Sequence, residues 1–160
     1  MRAWVGSAIT VTSTERWLSE LRKGNAFGGT TYTSGIGGSY TFIQVKNPAA
    51  SGRQALLRYV NLAVSAGASV SVGFYDTDLG TDIGAVANLL TGGAAGVCHI
   101  RTTTQAGMIG TYFWNYTLPG TTNLALERDW IVEISPGKGL IIGVQTLAIG
   151  LYASVALLEQ

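Results

Sequence analysis

The sequence predicts an all-β fold, an antiparallel β-sandwich. From residue 40 onward, short runs rich in β-branched and aromatic residues alternate with Gly, Asn, Asp and Pro. The 22 glycines fall mainly between these runs, where tight turns need positive φ. Hydrophobic residues make up 47% of the 160 residues, which is enough apolar surface to fill one core. We therefore expect one β-sandwich domain over residues 39–160.

Residues 1–38 differ in pattern from the rest and predict an N-terminal arm. The capping-box spacing from Thr12 to Glu15, with Gly24 as a stop, indicates a short helix. Residues 25–38 are rich in Gly, Ser and Thr and predict a flexible or irregular connection. Alternatively, the helix packs over one open end of the sandwich. The apolar face of this helix carries Trp17, Leu18 and Leu21.

Eight or nine strands are expected after the arm. A hairpin is predicted at Ala66-Gly67, and Pro136-Gly137 predicts a tight turn. The nearly continuous apolar run from Leu140 to Val144 predicts a strand buried on both faces. Residues 76–96 predict a long loop that includes a short helix or strand around Val86 to Leu90. The predicted strands are YTFIQVK, ALLRYVNLAVS, ASVSVGFYD, VCHIRT, TYFWNYTL, DWIVEIS, GLIIGVQT and GLYASVALLE.

Charge and cysteine content narrow the classes of partner. The net charge is +1 and the basic residues are scattered along the chain, so we expect no nucleic-acid partner. No run approaches the ~20 apolar residues of a membrane-spanning helix, so we expect no membrane partner. Cys98 is the single cysteine and allows no internal disulfide, which fits synthesis in a cytoplasm. Charged residues are only 12% of the chain, which favours association with other protein subunits.

The chain offers few groups for catalysis, and we expect that it is not an enzyme. The single histidine, His99, adjoins Cys98. Neighbours in a strand point to opposite faces, so the two cannot form a nucleophile and base pair. They cannot make a zinc site within one chain either, although a site shared around a symmetry axis stays open. Glu127, Asp129 and Glu133 are better explained by surface ion pairs than by glycosidase chemistry.

The acidic stretch DTDLGTD supplies the metal candidates Asp76, Asp78 and Asp82. Oxygen ligands at alternate positions can converge on Ca²⁺. This stretch lacks a downstream bidentate Glu, however, and Gly80 stands where another ligand would help. Asx-turn hydrogen bonds use the same residues, so we favour a turn over a metal site and expect no cofactor.

Aromatic residues supply the candidates for an interface. Strand alternation in TYFWNY places Tyr112, Trp114 and Tyr116 on one face and Phe113 on the other. A monomer seldom leaves such a patch in water, so we favour an oligomer interface over a sugar-stacking site. The interface candidates are Trp4, Trp17, Leu21, Tyr112, Trp114 and Tyr116.

The order of elements resembles that of the small jelly-roll proteins of tailed bacteriophage particles, which decorate or cement capsids or belong to tails. The resemblance covers residues 40–159. In VKNPAASGRQALLRYVNLAVSAGASVSVGFYD, a strand ends at Asn47-Pro48 and a long strand pairs with a Val-rich one. In WIVEISPGKGLIIGV, two apolar strands flank a Pro-Gly turn, like the closing hairpin of many virion sandwiches. The resemblance implies a trimer or other symmetric oligomer whose N-terminal arm reaches a neighbour.

Two functions from different classes follow from this resemblance. The first is a structural virion protein made in the host cytoplasm, a capsid decoration or cement protein that bridges subunits such as the major capsid protein by multivalent contacts. The alternative is a receptor- or glycan-binding module of a tail fibre or tail tip, with Tyr112, Trp114 and Tyr116 as a stacking platform.

Overall fold

A computed structural model describes residues 17–119, 123–126 and 132–160 and has the predicted all-β fold. Two antiparallel sheets pack face to face as a sandwich around one main core. The strands of the described residues are β1 (Ala26–Thr33), β2 (Tyr40–Lys46), β3 (Ala55–Val64), β4 (Ala68–Phe74), β5 (Thr81–Ala85), β6 (Ala87–Asn88), β7 (His99–Gln105), β8 (Thr111–Leu118), β9 (Asn123–Leu126), β10 (Val132–Ile134), β11 (Gly139–Val144) and β12 (Leu151–Glu159).

The strands are divided between the sheets in an order that is not sequential. Sheet A has the order β10-β3-β12-β1-β6, and β9 pairs with β3 as well. β12 pairs with β3 along one edge, so β9 and β10 share the other edge of β3. β9 pairs with the second half of β3 and β10 with its first residues. Sheet B has the order β5-β7-β2-β11-β4-β8. The first strand therefore pairs with the last, and most chain connections cross between sheets.

The main core lies between the sheets and is built by alternation. On β3, buried residues alternate with half-buried ones from Ala55 to Leu57 and from Val60 to Val64. The alternation is interrupted at Arg58, the extra residue of a bulge opposite β12. On β11, Leu140, Ile142 and Val144 face this core. All six residues of β11 are buried, which confirms the prediction of a strand covered on both faces.

The segment predicted as an irregular connection is instead a strand of the sandwich. β1 pairs over all eight of its residues with β12, and its Phe27 and Gly28 also pair with β6. Ala26 and Phe27 are buried. The predicted boundary at residue 38 therefore falls between two strands of the same sandwich. The Gly and Thr residues of β1 suit a strand whose small residues let neighbours approach, as Ile100 does at Gly29.

A short helix over residues 17–22 precedes β1. Gly24 has φ +76° and its amide donates to the carbonyl of Leu21, so it ends the helix as predicted. The capping-box pair Thr12 and Glu15 lies outside the described residues. On the predicted apolar face, Trp17 and Leu21 are half-buried and Leu18 is exposed.

Both predicted hairpins are wrong, although their turns are correctly placed. β3 belongs to sheet A and β4 to sheet B, so Ala66-Gly67 carries the chain across the sandwich. β10 and β11 are likewise split between the sheets. At Pro136-Gly137 the Lys138 amide donates to the Ser135 carbonyl at 3.0 Å, and Gly137 has φ +81°, which confirms the turn chemistry. Local turn residues do not reveal which sheet the next strand joins.

Candidate functional site

The outer face of sheet B, turned away from sheet A, carries the polar groups that form the candidate site. On β2, Ile43 and Val45 face the main core, so the alternate residues Phe42, Gln44 and Lys46 face outward. These three are buried as well. Loops must therefore cover this part of sheet B.

A small apolar cluster, the outer cluster, lies beneath these loops. Its buried members are Phe42, Leu79 and Ile141. Leu79 comes from the loop after β4 and covers the sheet from outside. Because Leu79 is buried in this cluster, the cluster holds the loop that carries the acidic residues. Half-buried side chains around it are Tyr40, Tyr75, Met108, Ile109 and Tyr112.

Gln44 fastens this loop through all the polar atoms of its side chain. Its Nε2 donates to the carbonyls of Tyr75 at 2.6 Å and Thr77 at 3.0 Å. Its Oε1 accepts from the amide of Leu79 at 3.1 Å. A fully buried amide with its hydrogen bonds made in this way holds the loop backbone in one conformation.

Lys46 fastens the same loop one strand position further along the outer face. Its ammonium donates to the carbonyls of Asp76 and Gly137 and lies 3.3 Å from Oδ1 of Asp78. The Lys46 side chain is only 9% exposed. A nearly buried ammonium is stable here because each of its three donors has an oxygen partner.

Asp82 forms a second charged group with His99 and Arg101 of β7. Nδ1 of His99 lies 2.9 Å from Oδ2 of Asp82, and Nη1 of Arg101 lies 3.2 Å from the same oxygen. Oδ1 of Asp82 accepts from the Gly84 amide at 2.9 Å, which is the Asx-turn that the sequence predicted. Partial burial acts to raise the pKa of Asp82, but the hydrogen bonds from His99 and Gly84 and the nearby positive charges hold it below its usual 3.8.

Asp76 pairs with a different cation. Its Oδ2 lies 2.7 Å from Nζ of Lys138. That hydrogen bond is the main reason why the pKa of Asp76 lies below its usual 3.8. Both side chains are about half exposed, at 49% and 57%, so the pair contributes little to stability.

The three metal candidates are therefore all paired with basic side chains. Asp76 contacts Lys138, Asp78 lies near Lys46 and Arg101, and Asp82 contacts His99 and Arg101. Among the described residues, no three His, Cys, Asp or Glu side chains are grouped so that they could hold a metal ion. The Lys46 ammonium contacts carbonyl and carboxylate oxygens of the loops, which are the ligand types that a metal cation would use.

An open cavity of about 320 Å³ lies beside these charges. Two carboxylates face three basic side chains across it, and the turn residues Pro48 and Ala49 form an apolar part of the wall. The positive and negative groups are already paired with one another, so the cavity presents no strong net field to a charged ligand. Its lining residues are Lys46, Pro48, Ala49, Asp78, Asp82, His99, Arg101 and Gly137.

Cys98 lies on the opposite side of its strand from His99, as predicted. It is fully buried in the main core, whereas His99 contacts Asp82 at the surface. Burial raises the pKa of the Cys98 thiol, and the nearby Glu159 acts in the same direction. The Glu159 carboxylate is buried and accepts from the amides of Val97 and Cys98, each at 2.9 Å. These contacts fasten the last strand to the segment before β7.

The aromatic interface candidates of β8 do not share one face. A register shift between Val72 and Gly73 makes Phe113 a bulged residue of β8. Tyr112 therefore packs on the outer cluster, where burial raises its pKa to about 12, and its hydroxyl donates to the Ile109 carbonyl. Trp114 and Tyr116 are half-buried against the main core. Phe113 is the exposed aromatic residue of β8, at 39%. Trp4 lies outside the described residues.

Gln44 and Lys46 were not predicted as site residues. In YTFIQVK they read as the solvent-facing half of an alternating strand. The sequence contains no signal that distant loops cover this face. Polar residues that alternate with apolar ones look the same whether water or a loop backbone binds them.

Comparisons with known proteins found no match: no family model, no curated protein and no solved structure resembles the chain closely enough to be matched. Within the described part of the chain, no helix has the length and apolarity needed to cross a membrane.

Proposed function

We propose that the sandwich is a jelly roll. In a jelly roll, eight strands form two four-stranded antiparallel sheets through two Greek keys. Two rows of four strands in this molecule support that assignment: β1-β12-β3 with β9 and β10, and β2-β11-β4-β8. When β9 and β10 are counted as one position, these strands switch sheets at every step in chain order except between β4 and β8.

The remaining strands are additions to this frame. β5, β6 and β7 all come from the segment between β4 and β8. β7 and β5 extend sheet B beyond β2, and β6 extends sheet A beyond β1. One insertion therefore widens both sheets and carries Asp82, His99 and Arg101 to the cavity.

We further propose that the protein is a structural component of a tailed phage virion, a capsid decoration or cement protein. The observation that carries this proposal is the strand order, because jelly rolls of this kind recur in viral capsid proteins. The low charge content is consistent with subunit contacts. The paired charges and the buried Cys98 supply no nucleophile with an adjacent base among the described residues.

Exposed apolar side chains give this proposal a candidate surface. Leu89 and Leu90 are 47% and 42% exposed, next to Gly28 and Gly24. Leu18 of the short helix before β1 is exposed as well. Burial of this surface in a neighbouring subunit, repeated around a symmetric oligomer, would give multivalent attachment.

The test is the solution mass of the full chain by light scattering. We expect a discrete oligomer, a trimer in the form implied by the resemblance, and we expect Leu90→Asp to dissociate it. Ile83→Asp is the matched control, since Ile83 is a 52% exposed apolar residue of β5 in the other sheet. A monomer at all concentrations would contradict the proposal. So would failure of the chain to co-sediment with capsids assembled from the major capsid protein of the same genome.

A further inference from the structure

A second cavity, of about 300 Å³, lies beside the first and contains the aromatic surface that the first one lacks. It opens between the end of β4 and the turn from β10 to β11. Gly137 of that turn borders the first cavity and Lys138 the second, so the turn separates them. The lining residues are Phe74, Asp76, Glu133, Ser135 and Lys138.

One wall of this cavity includes the exposed aromatic residue Phe74, whose ring contacts a second aromatic ring. Phe74 is 42% exposed. Its ring centroid lies 4.8 Å from that of Phe113, and Phe113 meets Trp114 edge to face at 4.5 Å. Trp114 packs on the main core. The row of three rings therefore holds the partly exposed Phe74 at the surface.

The rest of the lining carries hydrogen-bonding groups of both kinds. Asp76 and Lys138 form their ion pair here, and the Ser135 hydroxyl donates to Oε1 of Glu133 at 3.3 Å. The backbone hydrogen bond from Lys138 to Ser135 closes the turn that carries two of these groups. Two carboxylates, one ammonium and one hydroxyl thus line the same cavity as Phe74.

We propose that this cavity is a binding site for a neutral saccharide. The C–H face of a pyranose ring carries small positive charges and stacks on the negative face of an aromatic ring such as Phe74. Sugar hydroxyls both donate and accept hydrogen bonds. The carboxylates of Asp76 and Glu133 accept from them, and the Lys138 ammonium donates to them.

The charges of the lining disfavour an anionic ligand. Two carboxylates outnumber one ammonium and repel an anion such as a sulfated or sialylated glycan. A cationic ligand would gain from Phe74 and from Glu133, since Lys138 neutralises Asp76, so a cationic probe has to be compared with the neutral saccharide. A cavity of about 300 Å³ is at the small end of ligand sites, which suits one terminal sugar residue of a chain.

This inference does not depend on the assembly proposal. A decoration protein can carry a saccharide site, and a saccharide-binding module need not bind a capsid. Light scattering reports on assembly, whereas the binding titration below reports on the cavity alone.

The experiment starts with the full chain on an array of neutral hexose and N-acetylhexosamine oligosaccharides. A titration of the best neutral probe by calorimetry follows, with tetramethylammonium and a sulfated disaccharide as charged probes. We expect a neutral oligosaccharide to bind and Phe74→Leu, which keeps an apolar side chain, to weaken its Kd about tenfold or more. Glu133→Gln should weaken it as well. Tyr32→Leu is the matched control, because Tyr32 is a 57% exposed aromatic residue of sheet A.

Three results would overturn the inference. The first is the absence of binding by every neutral saccharide, and the second is tight binding by a charged probe alone. The third is neutral saccharide binding that Phe74→Leu leaves unchanged but Tyr32→Leu abolishes. Circular dichroism melting of each variant shows that it is folded. If Phe74→Leu does not fold, Glu133→Gln decides, since Glu133 is exposed and contacts only Ser135 among the described hydrogen bonds.

Discussion

The outer faces of the two sheets of the sandwich differ in how far they are buried. On β12 of sheet A, buried residues alternate with half-exposed ones such as Tyr152 and Ser154, so this face meets water. On β2 of sheet B, every residue after Tyr40 is buried. Sheet A is an ordinary half-solvated antiparallel sheet, whereas loops cover the centre of sheet B.

This difference places the polar chemistry on one side of the molecule. The loops over sheet B need buried hydrogen-bond partners, and Gln44 and Lys46 supply them. Loop residues thereby become rigid enough to hold charged side chains at fixed distances. On sheet A the outer face is buried near Ala26 and Leu158 but meets water along Tyr152, Ser154 and Ala156.

The largest expected effect tests whether β1 belongs to sheet A or to an arm. Deletion of residues 1–38 removes a strand that pairs along its whole length with β12 and buries Phe27. We expect the product to lack a cooperative unfolding transition in urea. Deletion of residues 1–16, which keeps every described strand, is the control. A folded product from the longer deletion would restore the division at residue 38.

The next effect compares aromatic residues on the two outer faces. Phe42→Ala should destabilise the protein by about 3–5 kcal/mol, because it opens a cavity in the outer cluster beneath the loops. Tyr152→Ala, on the water-facing side of sheet A, should cost only about 1 kcal/mol. Urea unfolding curves measure both. Equal losses would mean that the two faces are covered to the same degree.

A third substitution separates loop anchoring from burial. Gln44→Leu keeps the side-chain volume but leaves two carbonyls and one amide without their partner. We expect a loss of about 3 kcal/mol in the free energy of unfolding. Gln54→Leu, at an exposed position just before β3, should stay within about 0.5 kcal/mol. A small loss at Gln44 would show that apolar contacts alone hold the loop.

The smallest effect is a pH dependence confined to sheet B. The pKa of Asp82 is lower in the folded chain than its usual 3.8, so its ionised form stabilises the fold above pH 3.8. This contribution is lost as the pH falls through the folded pKa. The stability difference between the wild type and Asp82→Asn should therefore shrink between pH 5 and pH 2. It should be below about 1 kcal/mol throughout, because Asp82 is partly exposed.

The matched variant for this titration is Tyr152→Ala, whose effect on the free energy of unfolding should not change over the same pH range. A constant difference for Asp82→Asn would mean that its contacts with His99 and Arg101 are too screened to matter.

Sequence patterns predicted the strands well because alternation is a local property. All eight predicted strands are present, and the burial of β11 on both faces followed from its unbroken apolar run. The Pro136-Gly137 turn followed equally well, since its φ requirements involve only neighbouring residues.

The sheet assignments and the site could not be predicted in the same way. Nothing local to Ala66-Gly67 distinguishes a hairpin from a crossover between sheets. The bulge at Phe113 inverts the orientation of Tyr112 relative to Trp114, and it depends on the register with β4. The partners of Asp82 lie 17 and 19 residues away, brought together by the pairing of β5 with β7.

The pairing of the first strand with the last has a mechanical consequence. Ala26 lies opposite Leu158, and Thr33 lies opposite Leu151. A force that pulls residues 26 and 158 apart loads the hydrogen bonds between β1 and β12 one after another from that end. The two strands are then separated sequentially and are not sheared along their length. A load applied through residues 26 and 158 would thus separate the two strands at a lower force than a load applied along the strands.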